Sequence, residues 1–265
     1  MNASSSSRSE RRRLQQREAQ ALALPLNLSS RDPRSIALHV RHVAHLLRDQ
    51  KARSPSTDAV RHITSLFDRS MPPTAQKAIA CRKGCSHCCT QMVTLTAPEA
   101  FFIATQIRDK PEVVAALQDA NTKTRGLTLE QRLRTGPMCA FLKDNACSIY
   151  GARPLGCHGF ISVDLSACIS AFVNGGEPNI PMPGEYVQGL YATRILLMAA
   201  MRLAGLPDAA FEMNEALSAI LLQENAETRW FAGEDVFAGV ATIPPPPPEF
   251  ETAIRQMAAF VAPML

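Results

Sequence analysis

The residues best suited to chemistry in this 265-residue chain are eight cysteines: Cys81, Cys85, Cys88, Cys89, Cys139, Cys147, Cys157 and Cys168. Four of them crowd into the nine positions of CRKGCSHCC, residues 81–89, separated by three, two and no intervening residues. After a gap of 49 residues the others follow at intervals of seven, nine and ten. Short spacings suit thiolates that must converge at about 2.3 Å on one tetrahedral ion, and longer gaps let separate loops supply further ligands. Neighbouring side chains diverge by about 100° on a helix and point to opposite faces of a strand, so Cys88 and Cys89 serve one mononuclear ion poorly. Eight sulfurs also exceed the four that one zinc ion or one iron–sulfur cluster takes. All eight are therefore candidate ligands of zinc or iron, an iron–sulfur cluster included, arranged either as two sites or as one site with a second shell of reactive thiols, and more than one metal atom is the favoured expectation. Four thiolates on a divalent ion leave a net charge of about −2, which nearby cations offset. Arg82, Lys83, Lys143 and Arg153 are placed for this in the sequence, and His87 and His158, each beside a cysteine, are alternative ligands.

The chain has no need of sulfur to fold. Its length is enough to bury a real core, and with 46% hydrophobic and 20% charged residues its composition is that of an ordinary globular protein. No stretch reaches the roughly 18 apolar residues of a membrane span. ALALPLNL, residues 21–28, is too short and too broken by Pro25 to be the core of a signal peptide. The expectation is a soluble cytoplasmic protein, where thiols stay reduced and clustered cysteines favour metal over disulfide. The formal charge of +4 is unevenly spread: residues 1–53 carry eleven Arg or Lys against four Asp or Glu, a balance of +7. Such an arm could touch nucleic acid, but its Ser- and Arg-rich composition is that of a disordered leader.

The elements that must position the cysteines read as helices. From Pro33, Ile36, Val40, Val43 and Leu47 form one apolar stripe, bordered by His39, His42 and His45. Those histidines read as half-buried border residues. A second helix follows SPST, residues 54–57, and stops at Pro72 and Pro73. Thr96 with Glu99 has the spacing of a capping box, opening a helix that runs to about Asp109, and another helix starts at Pro111. Residues 136–159 are turn-rich, as a site built from loops should be. Two long amphipathic stretches, 184–206 and 207–227, are separated by Gly205 and Pro207. PPPPP, residues 244–248, reads as a polyproline II spacer before a last helix. No alternating strand pattern of any length is present. The expected class is mostly α, with an irregular, loop-rich cysteine core embedded in helices. The expected organisation is a disordered basic leader (1–30), a helical arm (31–75), a cysteine-cluster metal-binding domain (76–175) and a C-terminal helical region (176–265).

CRKGCSHCC followed by CAFLKDNACSIYGARPLGC closely resembles the YkgJ-type cysteine-cluster family, a zinc- or iron-chelating domain. The resemblance rests on the C-x3-C-x2-C-C head, on Cys139, Phe141 and Leu142, and on Cys147, Ile149, Tyr150, Arg153, Pro154 and Cys157, with Cys168 as a further member. It covers about a third of the chain. It implies metal coordination by these cysteines and does not imply a reaction, although some family members carry a protein-methylase label. Two other classes compete. Cys81, Cys85 and Cys88 have the C-x3-C-x2-C spacing with which radical-SAM enzymes hold a 4Fe–4S cluster, and GGEP, residues 175–178, resembles their SAM-binding segment. Those enzymes need a partial β/α barrel, for which the sequence shows almost no strands. A zinc-stabilised module for nucleic acid or a protein partner is the other reading, but the cysteine region is not strongly basic and its spacings are not those of a finger, ribbon or knuckle.

Overall fold

The apolar stripe of Val40, Val43 and Leu47 is fully buried in a helix, α2 (Pro33–Arg48), and it is one wall of the core. The computed structural model describes residues 8–28, 33–49, 51–135, 137–174, 179–243 and 247–265. Before α2 runs α1 (Arg8–Ala23) and after it come α3 (Pro55–Ser70) and the short α4 (Pro73–Ala78). A 3-10 turn (His87–Thr90), β1 (Thr94–Thr96), α5 (Ala97–Ile107), α6 (Pro111–Thr124) and α7 (Leu129–Thr135) follow. The turn-rich segment holds β2 (Leu142–Lys143), β3 (Ala146–Cys147), a second 3-10 turn (Tyr150–Ala152), α8 (Leu155–Gly159) and α9 (Leu165–Phe172). The chain then continues through α10 (Gly184–Leu203), β4 (Ala210–Glu212), α11 (Met213–Leu221), α12 (Ala226–Phe231) and α13 (Pro248–Val261). Strands among the described residues span at most three residues, so the fold is mostly helical and offers no β/α barrel for radical-SAM chemistry. GGEP lies outside the described residues.

α5 sits at the centre, apolar on nearly every face and buried from Ala97 to Ala104, with α3, α6 and α11 packed around it. β1 pairs antiparallel with β4 (Leu95 opposite Phe211), so the residues just after the cysteine head are clamped to the C-terminal helices. The larger of two buried clusters spans α2 to α13: Val40, Ile63, Ile103, Phe141, Leu196, Leu217 and Ile254 all belong to it, and it does not stop at residue 76 or 175. α10 closes one side against α2 and α13. Gly205 (φ +75°) ends α10, where the Leu206 N–H reaches back to the Met201 carbonyl. The Arg202 guanidinium, bonded to Asp208 and bidentate to Glu251, then fastens α10 to α13.

Several expectations are revised in detail. Within the leader assigned to 1–30, residues 8–23 form α1, whose Arg12, Arg13 and Arg17 are exposed. It is held at the far end: Glu18 pairs with Arg41, Arg69 donates to the Leu22 and Leu24 carbonyls, and Leu28 is buried beside Phe67 and Met71. Residues 1–7 lie outside the described residues. The stretch 207–227 is not one helix. Residues 210–212 are recruited as β4 by β1, and the Glu212 carboxylate caps α11 by accepting from the Glu215 N–H. Of the proline run, 244–246 lie outside the described residues, and Pro248 is the first residue of α13.

Glu99 does more than complete the capping box. Buried in the first turn of α5, its Oε2 accepts from the N–H and hydroxyl of Thr96 (2.8 Å each), and its Oε1 accepts from the Leu155 N–H (2.8 Å). One carboxylate thus joins the start of α5 to the start of α8, 56 residues later. Glu99→Gln turns one accepting oxygen towards the site into a donor facing a donor, and should cost about 2–4 kcal/mol. An unfolding midpoint unchanged in denaturant would contradict this role.

Where α2 meets α3, His39 Nδ1 lies 2.9 Å from His62 Nε2, and the His42 ring stands edge-on to His62. Burial, with the Arg69 charge and the neighbouring imidazoles adding to it, lowers His39 to about 4 and His62 to about 3, from an ordinary value of 6.5. Both are therefore neutral when folded, while the unfolded chain takes up their protons below pH 6.5. Their contribution is complete above that pH and is lost as the pH falls towards 4. Stability should drop by up to about 1.4 kcal/mol per pH unit for each histidine. His62→Gln should flatten the decline measured by denaturation between pH 7 and 5, and an unaltered slope would refute the assignment.

Candidate metal centre

The cysteine head is built as two tight turns. Gly84, at φ +90°, allows the first, in which the Cys85 N–H returns to the Arg82 carbonyl, 3.0 Å. The 3-10 turn makes the second, with the Cys89 N–H on the Ser86 carbonyl (3.0 Å). The distant half of the motif is joined to the head by backbone: the Cys139 N–H donates to the Cys89 carbonyl at 2.8 Å. Beyond it, Asp144 and Asn145, both at positive φ (50° and 58°), turn β2 into β3 as a two-residue hairpin. The hairpin presents Cys147, and Ser86 beside the head contacts Asn145 at its tip, 3.4 Å. Phe141 and Ile149 plug this segment into the core, so the loops are rigidly based although they contain little regular structure. α8 follows the buried Pro154, which is its N-cap, and carries Cys157. α9 carries Cys168 and packs on the turn of Cys88 and Cys89.

Cys81 is held from another side. The Ser162 N–H donates to its sulfur at 3.4 Å, and the Ala80 N–H donates to the Ser162 carbonyl at 2.8 Å. All eight cysteines are free thiols, and the fold brings them into one region. Their mutual electrostatic influence sorts them into two groups. Cys88, Cys89, Cys139, Cys147 and Cys157 act on one another, and Cys81 is coupled to Cys85 and Cys168. Cys88 also feels Cys81, so the groups adjoin. The adjacent Cys88 and Cys89 thiols shift each other's protons in opposite directions, Cys88 upward and Cys89 downward.

Burial governs the protons. It pushes Cys139 and Cys157 up to about 12, and raises Cys81 and Cys147 as well. Cys88 is raised by its hydrogen bond to Cys89 and then by burial. Cys89 moves the other way, down to about 7, because Cys88 donates to it and the Arg153 guanidinium lies near. Of the inner group, Cys89 is therefore the thiol that loses its proton most readily. Protonated sulfurs satisfy themselves on each other and on the backbone, and among the described residues no three His, Cys, Asp or Glu side chains converge as a finished ion cage. The donor set nevertheless fits a soft or borderline metal, since all-thiolate sites take zinc, iron and iron–sulfur clusters.

Of the four cations expected near the sulfur, Arg153 has that role. Its guanidinium lies 3.8 Å from the centre of the Tyr150 ring, donates to the Tyr150 carbonyl, and favours the thiolates of Cys81, Cys89, Cys147 and Cys157. Arg82, Lys83 and Lys143 are exposed. A cation not foreseen is Arg132 of α7, 3% exposed, whose charge acts on Cys139 and Glu212. Its only signal in the sequence is its place in the turn before Cys139. His158 is not brought to the sulfurs: its Nδ1 is 3.5 Å from the Asp68 carboxylate, and its ring packs on Phe67. The reason is Gly159, where a Cβ would stand 2.7 Å from that of Leu190, so α8 lies flat on α10 with His158 turned towards α3.

No curated protein and no solved structure matches this chain. The region that holds all eight cysteines, residues 80–171, is a match to the CxxCxxCC family, described as "Putative zinc- or iron-chelating domain".

Proposed function

We propose that the chain is a metal-binding protein in which Cys88, Cys89, Cys139, Cys147 and Cys157 hold a zinc or iron centre beside Arg153. Cys81, Cys85 and Cys168 form a second, adjoining set, with Cys88 as the residue common to both. The observation that carries this reading is that four separate segments, the head, the loop before β2, the hairpin and α8, each bring half-buried thiols to one place, with the Cys139 N–H bonded to the Cys89 carbonyl. A metal would supply the positive charge that lets these sulfurs ionise together. Cys89, already near its ionisation at neutral pH, would hold the ion with the least proton displacement, and Cys88, Cys139, Cys147 and Cys157 would each give up a proton to hold it. Arg153 and Arg132 offset the negative charge left by a thiolate-rich shell. The same binding ties the segments around Cys139 and Cys157 to the head, so it contributes to folding.

The test is anaerobic purification followed by elemental analysis and a visible spectrum. About one to two zinc or iron atoms per chain are expected, and protein free of metal with eight readily alkylated thiols would sink the reading. Cobalt(II) titration of the apoprotein resolves the two sets. Cys139→Ser or Cys157→Ser should remove most of the thiolate-to-cobalt absorption, and Cys85→Ser only a minor part. Because the ion must displace protons from thiols whose affinity for them burial has raised, metal affinity should weaken as the pH falls. The expected loss is about tenfold per pH unit for each proton released. The proton on Cys89, at about 7, stops contributing above neutrality.

A further inference from the structure

On the other side of α8 from the sulfur cluster is a cavity of about 410 Å³. Its size falls within the range of about 300–1,000 Å³ usual for small-molecule sites. The walls come from α8, from α10, from β1 with the first turn of α5, and from the start of α13; they are mostly apolar, with Leu155, Phe160, Leu190, Leu197, Met198 and Phe250 prominent. One cation lines it among the described residues, Arg194 of α10. The guanidinium has five N–H donors, and among the described residues the one hydrogen bond it makes is from Nη2 to the Thr94 hydroxyl, 3.2 Å. No carboxylate stands within ion-pair distance of it among the described residues. Glu99 shares the wall, but its two oxygens are taken up by Thr96 and by the Leu155 N–H. The position of Arg194 is itself prepared: a Cβ on Gly156 would come within 3.2 Å of Nη2, so the glycine before Cys157 leaves the guanidinium room against α8.

We propose that this cavity binds an amphiphilic monocarboxylate, its apolar body packed against Leu190, Leu197 and Phe250 and its carboxylate received by the free donors of Arg194. A half-buried guanidinium that lines an apolar chamber and has donors to spare favours an anion that can accept from it in bidentate fashion. A single cation, with no second Arg or Lys lining the cavity among the described residues, suits a monoanion such as a carboxylate better than a phosphate dianion. The site is separate from the cysteine ligands and stands independently of the metal reading.

The probes are decanoate and decanol, which share an apolar chain and differ in charge, titrated into the full-length protein by calorimetry below micelle-forming concentrations. Decanoate should bind one to one and at least about tenfold tighter than decanol, the usual magnitude for a charge-assisted pair. Arg194→Met should bring the two affinities together by weakening decanoate alone. Val187→Trp, which fills the cavity from its rim, should weaken both. Equal binding of acid and alcohol by the unaltered protein, or no binding of either, overturns the proposal whether or not the variants fold. Retained preference for decanoate in a folded Arg194→Met protein overturns the role of the guanidinium.

Discussion

Thiolates held close together repel one another, and those buried in apolar surroundings are further disfavoured by lost solvation. This constraint shapes the centre of the molecule. The inner five cysteines cannot ionise together unless a cation joins them, so the fold keeps them as neutral, weakly polar groups that apolar neighbours tolerate. Cys139 and Cys157, raised to about 12, are the clearest cases. Cys89 is the exception, and its lowered affinity for a proton depends on its neighbour: Cys88 gives up a hydrogen bond to it and becomes the harder thiol to ionise. The adjacent pair is thus a division of labour, one sulfur prepared as an anion because the other is prepared as a donor.

Holding neutral sulfurs together requires a scaffold that does not rely on the metal for everything. It is supplied by anchors that contain no sulfur. Phe141 and Ile149 fix the hairpin, Glu99 fixes the start of α8, and the Cys139-to-Cys89 backbone bond joins the two halves of the motif. The surrounding helices complete the arrangement, because α5 is centred between α3 and α11 and its first residues lead directly from β1, a few positions after the head. The C-terminal helices, which no motif explains, therefore share one core with the cysteine segment, and the leader's Leu28 is buried in a smaller cluster with Phe67, Met71 and Ile161.

Much of this was legible in the sequence. The stripe of α2, the Thr96–Glu99 capping pair and the stop at Gly205 each follow from local rules, and the absence of alternating patterns indicated a helical fold correctly. What local rules could not supply was anything decided by residues far apart. β4 is a strand only because β1 lies beside it, within a stretch whose own periodicity is helical. His158 is adjacent to a cysteine in sequence, yet the glycine after it presses α8 onto α10 and turns the imidazole towards Asp68. Nearness in sequence likewise suggested four cations, whereas burial selects Arg153 and adds Arg132. The Asp-Asn pair of the hairpin was a readable signal, since both residues tolerate the positive φ that such turns require.

The shortest helix of the structure that carries a cysteine is also the one with most demands upon it. α8 has five residues, and each neighbour constrains a different one: Glu99 holds the Leu155 N–H, Arg194 lies against Gly156, Cys157 faces the sulfurs, His158 meets Asp68, and Gly159 rests on Leu190. At Gly159 the Leu190 side chain approaches the backbone more closely than a Cβ allows, and at Gly156 a Cβ would crowd the Arg194 guanidinium. A segment so confined cannot shift towards an ion at one end without moving against the cavity at the other. The sequence LGCHG is accordingly where sulfur chemistry and the apolar chamber share a wall, and its composition is explained by both together and by neither alone.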